Sequence, residues 1–232
     1  MLSNYKMVDF SQDIFEGMSL FPIHQKTFFM VNQTHEQSMK NSGSKKLGFY
    51  ARNILMSEHC GTHSDAVIEY VPGGVSIDEM ALNHFYGSAI CVDLSDIRYP
   101  NYIEPCDLEA ALKKANLELK PGDIFLMYTG HHDRNYGKPE FQMEYTGLSY
   151  AGAKWLAEKG VVNIGVDAPA IDQTPDDLDF SGHLVCGEYG ISNTENLCNL
   201  DKVKNKRFLY IGLPLKIRGG TGSPIRAVGF YE

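Results

Sequence analysis

The sequence predicts an α/β fold, and three observations carry that expectation. Residues 89–94 and 123–128 are two nearly continuous apolar runs of the kind that buried strands show. Between them, Leu108, Ala111, Leu112 and Ala115 recur at three- and four-residue steps, which gives one helix face to a core. A second helical pattern, from Ser149 through Ala153, Leu156 and Ala157, leads into a third strand-like run at 161–166. Helix–strand alternation of this type builds a layered sheet with some parallel pairing.

Taken in order, the chain opens with a short mixed stretch at 7–13. An irregular loop follows, marked by Gly17 and Pro22, that presents Phe21. On pattern alone Phe21 is a core aromatic. Residues 26–33 and 47–54 read as the two arms of a hairpin, with 41–46 as its polar tip. After the Pro72-Gly73-Gly74 turn, Ser76 and Glu79 form a capping box, which predicts a short helix over 76–80. Asp107 is the expected N-cap of the next helix, and Pro121-Gly122 its stop. Gly160 is placed to end the second helix. Polar turns at 174–177 lead to a second polar cluster, and 207–215 and 224–231 read as two more strands. No repeat, heptad or linker interrupts the chain, so one compact domain over 1–232 is expected.

Composition narrows the function. A net charge of -8, with no basic stripe, argues against nucleic acid as a partner. The run from Lys202 to Arg207 reads as a solvated turn. The five cysteines form no C-x-x-C pair and are odd in number, which fits buried thiols in a reducing compartment, and thus the cytoplasm. The first residues lead into no apolar signal segment, and no run approaches the ~20 apolar residues of a membrane span.

The chemistry concentrates in Glu58-His59-Cys60-Gly61-Thr62-His63-Ser64-Asp65-Ala66. Two imidazoles and a carboxylate fall within seven residues, with a glycine that lets the backbone approach whatever they hold. Positions 59, 61, 63, 65 and 69 share parity, so an extended backbone would send those side chains to one face. Cys60 would point away. Such a cluster also arises on ordinary polar loops.

His59-x-Gly61-Thr62-His63-x-Asp65-Ala66 resembles the signature of the cyclase-like metal hydrolases, which include bacterial kynurenine formamidases and isatin hydrolases. The resemblance extends to Asp9-Phe10-Ser11, Gly17-Met18, Phe21-Pro22, Gly147-Leu148-Ser149 and the loop from Val166 to Asp172. It continues through His183, Glu195-Asn196-Leu197, Asn199-Leu200 and the final strand from Ser223 to Ala227. It implies a swivelling β/β/α layer fold with a mixed sheet, in homodimers or homotetramers acting on a small molecule. It implies His59, His63 and Asp65 as first-half metal ligands and His183 and Glu195 as second-half ligands. One or two Zn²⁺ or Mn²⁺ ions would be held, bridged by Asp65 and Glu195 where two bind. Phe21 falls where the family places an aromatic against the substrate.

One departure changes the chemistry. The family motif continues past the aspartate as Ala-Pro-x-His, whereas this chain has Asp65-Ala66-Val67-Ile68-Glu69. Glu69 replaces the proton-shuttling histidine; a carboxylate with a raised pKa can do the same work, or it could instead accept hydrogen bonds from a different substrate or ligate the metal. The expectation is hydrolysis of an amide, lactam or formamide C–N bond by metal-activated water, with Glu69 as catalytic residue. The alternatives are a lactone hydrolase or dehydratase at the same metal, or a binding protein without turnover. His131 is a substrate-facing candidate because it follows a strand end of the α/β type, although paired with His132 it also reads as an exposed loop. His84 could stand in for the missing histidine. Cys186 and Cys198 read as structural thiols. No G-x-S-x-G elbow or phosphate-cradling loop appears.

Overall fold

The computed structural model describes residues 5–173 and 179–231, so the polar turns expected at 174–177 lie outside the described residues. In chain order the first half contains β1 (Lys6–Asp9), β2 (Phe28–Gln33), α1 (His35–Ser42), β3 (Ala51–Leu55) and β4 (His63–Asp65). It continues with β5 (Tyr86–Asp93), α2 (Pro105–Ala115), β6 (Ile124–Tyr128) and α3 (His131–Asn135). Then come α4 (Tyr150–Glu158), β7 (Asn163–Val166), α5 (Ser181–Tyr189) and β8 (Ser192–Glu195). The chain closes with β9 (Lys206–Ile211), β10 (Gly222–Pro224) and β11 (Val228–Tyr231).

Nine strands form one mixed sheet in the order β1-β11-β9-β5-β6-β7-β8-β4-β10. Its centre, β5-β6-β7-β8, is parallel, as the alternating pattern requires. Both faces of that centre are covered, which is why its strands read as continuous apolar runs. Ile90, Val92, Phe125 and Met127 pack under α2, α4 and α5 through Leu108, Leu112, Ala153, Leu156 and Val185. Their neighbours of opposite parity, Ala89, Cys91, Ile124 and Leu126, pack on the other face against Phe10, Leu197, Phe208 and Tyr210. The flanks are antiparallel: β9 pairs with β5 on one side and β4 with β8 on the other. β1 and β11, from opposite ends of the chain, pair with each other.

Several local expectations are corrected. The 26–54 segment is a β2–β3 hairpin, but its connection is not simply a polar tip, because α1 lies within it. Thr34 caps α1 and Gln37 returns the hydrogen bond, a capping box inside a stretch with little apolar periodicity. The 76–80 segment makes only one turn, with Glu79 and Met80 N–H both reaching the Ser76 carbonyl. There the Ser76 hydroxyl turns to Asp78 instead of capping. Glu104, not Asp107, caps α2. Pro105 takes the first helical position, where its missing N–H costs nothing, and Asp107 accepts from the Glu104 N–H. α2 ends at Asn116 in the left-handed region, before Pro121-Gly122. The basic run is partly strand: Arg207 lies in β9 and pairs with the buried Asp123 at 2.6 Å.

The β2–β3 ribbon lies outside the main sheet and leaves Phe28, Met30, Val31, Ile54 and Leu55 exposed, with Phe49 beside them.

Candidate metal centre

β4 has only three residues, yet its place between β8 and β10 decides the site. The antiparallel register sets His63 opposite Glu195 and Asp65 opposite Asn193. Residues directly opposite on a strand pair share a face, so His63, Asp65, Asn193 and Glu195 converge. His63 Nε2 is 3.4 Å from Asp65 Oδ1 and 3.5 Å from Glu195 Oε2. α5 adds His183, whose Nε2 lies 3.3 Å from Glu195 Oε1 and 3.9 Å from Asp65 Oδ2. His59, in the turn before β4, brings Nδ1 to 2.7 Å from Asp65 Oδ1.

Shared parity accounts for only part of this. His63 and Asp65 are on a strand, but His59 is in a turn and Glu69 ends a 3-10 turn at Val67–Glu69. The turn folds the chain back, so Glu69 Oε1 comes within 3.4 Å of His59 Nε2.

Further bonds fix the imidazoles. His63 Nδ1 bonds the Gly61 carbonyl at 2.8 Å, which leaves Nε2 facing the carboxylates. Gly61 has φ of 61°, a left-handed conformation that favours glycine. His183 Nδ1 and its backbone N–H both reach Asp172 Oδ2, at 2.7 and 3.1 Å. A carboxylate behind a ligating imidazole sets its tautomer and orientation. Asn193 Nδ2 donates to Asp65 Oδ2 at 2.6 Å and to Glu195 Oε1 at 2.9 Å. Gly222 passes so close to His59 that a Cβ there would meet Cε1 at 2.7 Å.

The result is two groups of candidate ligands that share Asp65. One is His59, His63 and Asp65; the other is Asp65, His183 and Glu195. In each, the donor atoms lie within 4.8 Å of one another. Asp65 and Glu195 are buried, and no lysine or arginine is among the described residues that line the cavity. Buried carboxylates need a positive partner, and this nitrogen–oxygen set fits a divalent cation.

Electrostatics without an ion reflect the crowding. Burial disfavours a charged His59, but Asp65 outweighs it and raises the pKa to about 9. Burial likewise opposes charge on His183, which the Asp172 carboxylate holds well above the usual histidine range. Asp65 is depressed despite burial, by the His63 and His59 charges. Glu69 is raised, first by the protein atoms around it and then by the charge of Asp65. Its side chain is still 29 % exposed at the cavity wall, so it meets solvent and the candidate ligands together.

The cavity has a volume of about 420 Å³. Phe21, Tyr70, Phe180 and Leu184 contribute apolar wall, and Gln142 and Ser19 a hydrogen-bonded polar edge. Phe21 is therefore in the cavity lining, not the core. His131 is elsewhere: it is buried in α3, with Nε2 on the Phe141 carbonyl at 2.8 Å, and does not line the cavity. Burial lowers its pKa to about 4. The substrate-facing expectation for His131 is corrected, as is the exposed-loop reading. Its neighbour segment sends Gln142 to the cavity instead. His84 lies away too, with its carbonyl accepting from Asn163.

Sequence reasoning did not single out Asp172, Asn193, Tyr70, His24 or Thr221. Asn193 had a readable signal, since it shares strand parity with Glu195.

Comparison with known proteins follows the same lines. A family model described as "Putative cyclase" matches residues 8–173. A kynurenine formamidase of Bacillus mycoides is 30% identical over 223 residues, covering 95% of each chain. One from Salinibacter ruber is 29% identical, covering 96% of each chain. Isatin hydrolase A of Labrenzia aggregata superposes with a TM-score of 0.82 at 22% identity, covering 97% of this chain and 93% of that one. That last likeness speaks for the fold, a single α/β unit with a mixed sheet.

The raised histidines would make ion binding at this centre proton-linked. Below its folded pKa each imidazole carries a proton that a cation must displace. Zn²⁺ affinity should therefore climb with pH throughout the range below about 9, the value to which His59 is raised. Calorimetry near neutral pH, in buffers of different ionisation enthalpy, should register at least one proton released per ion. A pH-independent affinity with no release would contradict these assignments.

Proposed function

The chain belongs to the cyclase family, and from that premise we propose that it is a metal-dependent hydrolase of a small molecule's amide, lactam or formamide C–N bond. The observation that carries this reading is the convergence of His59, His63, Asp65, His183 and Glu195 on one cavity, in a chain whose relatives are kynurenine formamidases. Those five side chains would hold one or two Zn²⁺ or Mn²⁺ ions, and oxygen and nitrogen donors without thiolate suit either metal. A bound divalent ion supplies Lewis acidity toward the carbonyl and toward water.

Glu69 is the proton carrier of this reaction. It lies within reach of His59 and at the cavity wall, so one carboxyl faces both the ligand cluster and the substrate space. It takes a proton from the attacking water and returns it to the nitrogen as the C–N bond breaks, so the nitrogen leaves as a neutral amine. Burial and the Asp65 charge keep Glu69 protonated in the ion-free site; a bound divalent cation would offset Asp65, so that the carboxyl could ionise to accept that proton and still return it near neutral pH. Phe21 holds an apolar part of the substrate against the wall, with Tyr70 and Phe180.

In this reading the whole of 1–232 works as one hydrolase domain. The five unpaired cysteines fit a reducing cytoplasm. No helix among the described residues is long and apolar enough to cross a membrane. The working form is a homodimer or homotetramer in which a second copy covers the β2–β3 ribbon. A two-stranded ribbon with exposed apolar side chains is marginal in water by itself.

Two experiments test these statements. Assayed against formanilides, lactams and lactones, Glu69→Gln should keep its metal content and lose roughly 10²–10⁴-fold in kcat. Unchanged turnover would remove Glu69 from the reaction, and turnover of lactones alone would favour ester opening instead. Light scattering on the purified protein should give a dimer or tetramer, with Phe49→Asp shifting it toward monomer; a monomeric wild type would overturn the assembly.

A further inference from the structure

His63 and His183 each have an evident partner behind the ring, a carbonyl in one case and Asp172 in the other. His59 has a different arrangement. Its Nε2 lies 3.0 Å from the Thr221 hydroxyl, which in turn donates to Glu58 Oε2 at 2.7 Å. The Thr221 backbone N–H donates to the same Glu58 oxygen at 2.8 Å. Glu58 and His59 are adjacent in sequence, whereas Thr221 comes from the segment that enters β10.

A threonine hydroxyl has one hydrogen and spare lone pairs. Here the hydrogen is committed to Glu58, and a carboxylate can only accept it. The oxygen can then serve His59 only as an acceptor, so Nε2 must carry the hydrogen between them. The second ring nitrogen, Nδ1, is the one that faces Asp65 Oδ1 at 2.7 Å. The packing holds the same orientation. Gly222 presses on the Cε1–Nδ1 edge, where a Cβ would meet these atoms at 2.7 and 3.1 Å. His24 stacks on the ring at 5.3 Å between centroids. The backbone is pinned as well, with the Thr221 carbonyl accepting from the Ala66 N–H at 2.8 Å.

We propose that Glu58 and Thr221 are positioning residues that commit His59 to an Nε2–H form, so that His59 offers Nδ1 to a divalent cation while His63 and His183 offer Nε2. The proposal rests on the metal-site reading above and deepens it. It gives the pair a role apart from reaction: they touch neither the substrate space nor the ion, and act through one ring. Glu58→Gln should weaken the arrangement without removing bulk. An amide there can donate to the Thr221 oxygen and free its hydroxyl hydrogen to turn toward Nε2, which favours the opposite tautomer. Thr221→Val deletes the acceptor, and Thr221→Ser restores it.

The test uses the full chain labelled with ¹⁵N-histidine, loaded with Zn²⁺, and read by long-range ¹H–¹⁵N correlation together with chelator competition. Expected are one Nδ1-bound ring, assigned to His59 by its loss in His59→Gln, and Nε2-bound rings for the others. Thr221→Val should lose about 10–100-fold in Zn²⁺ affinity, the usual effect of removing such a partner. Thr221→Ser should remain close to wild type, and Glu58→Gln should fall between. A wild-type His59 bound through Nε2, or a folded Thr221→Val with unchanged affinity, overturns the proposal. If the wild type takes up no zinc, the hydrolase reading fails, and the metal-free protein still decides this point. A His59 Nε2–H signal slowed in exchange by Thr221, and lost in Thr221→Val, supports the positioning role; its absence in wild type refutes it.

Discussion

The antiparallel pairing of β4 with β8 is the constraint on which the site depends. It sets His63 against Glu195 and Asp65 against Asn193, and so joins two chain segments far apart in sequence into one polar face. Side chains alternate along a strand, so a slip by one residue would turn every one of these groups to the opposite side. A strand of three residues has little intrinsic preference to hold such a register. Its neighbours hold it: β8 belongs to the buried parallel centre, and β10 closes the other edge. The fold thus uses an apolar, well-packed layer to enforce a geometry that the polar residues themselves would resist.

That resistance is electrostatic. Asp65 and Glu195 are buried within reach of each other's partners, and Glu69 is close by. Unpaired, such groups would each cost several kcal/mol of desolvation. The chain distributes the load over the raised His59 and His183 imidazoles, the Asn193 amide and the Ile171 N–H, which donates to Glu195 Oε1 at 3.2 Å. Each imidazole is itself fixed from behind, by Gly61, by Asp172, and by the Thr221–Glu58 pair. A site in which protons and an amide occupy the candidate ligand atoms would be prepared for exchange with a cation.

Much of the fold was legible in the sequence because its centre is a matter of periodicity. The runs at 89–94, 123–128 and 161–166 and the apolar face around Leu108 and Leu112 reported the parallel layer without any tertiary information. α1 was missed because its signal lies in a cap, Thr34 with Gln37, and not in an apolar stripe. The candidate site was legible in part. Adjacency revealed His59, His63 and Asp65, and resemblance to a family supplied His183 and Glu195, which no local pattern ties to them. Glu69 stood out by its place in the family motif; parity on an extended backbone would aim it at the site, yet a 3-10 turn delivers it. Thr221 stands 162 positions from His59, and no periodicity connects residues so far apart. His131 misled because strand ends of α/β sheets gather sites, whereas here burial had claimed the ring for packing against Phe141.

These five side chains would form one cation site and not merely a hydrogen-bonded cluster. Anomalous diffraction from crystals grown with Mn²⁺ or Zn²⁺, recorded on both sides of the metal's absorption edge, tests it most directly. One or two anomalous peaks bounded by His59, His63, Asp65, His183 and Glu195 are expected, with the direct His59–Asp65 hydrogen bond replaced. Full-occupancy metal elsewhere, or no peak while His59 Nδ1 keeps its 2.7 Å bond to Asp65, would contradict it.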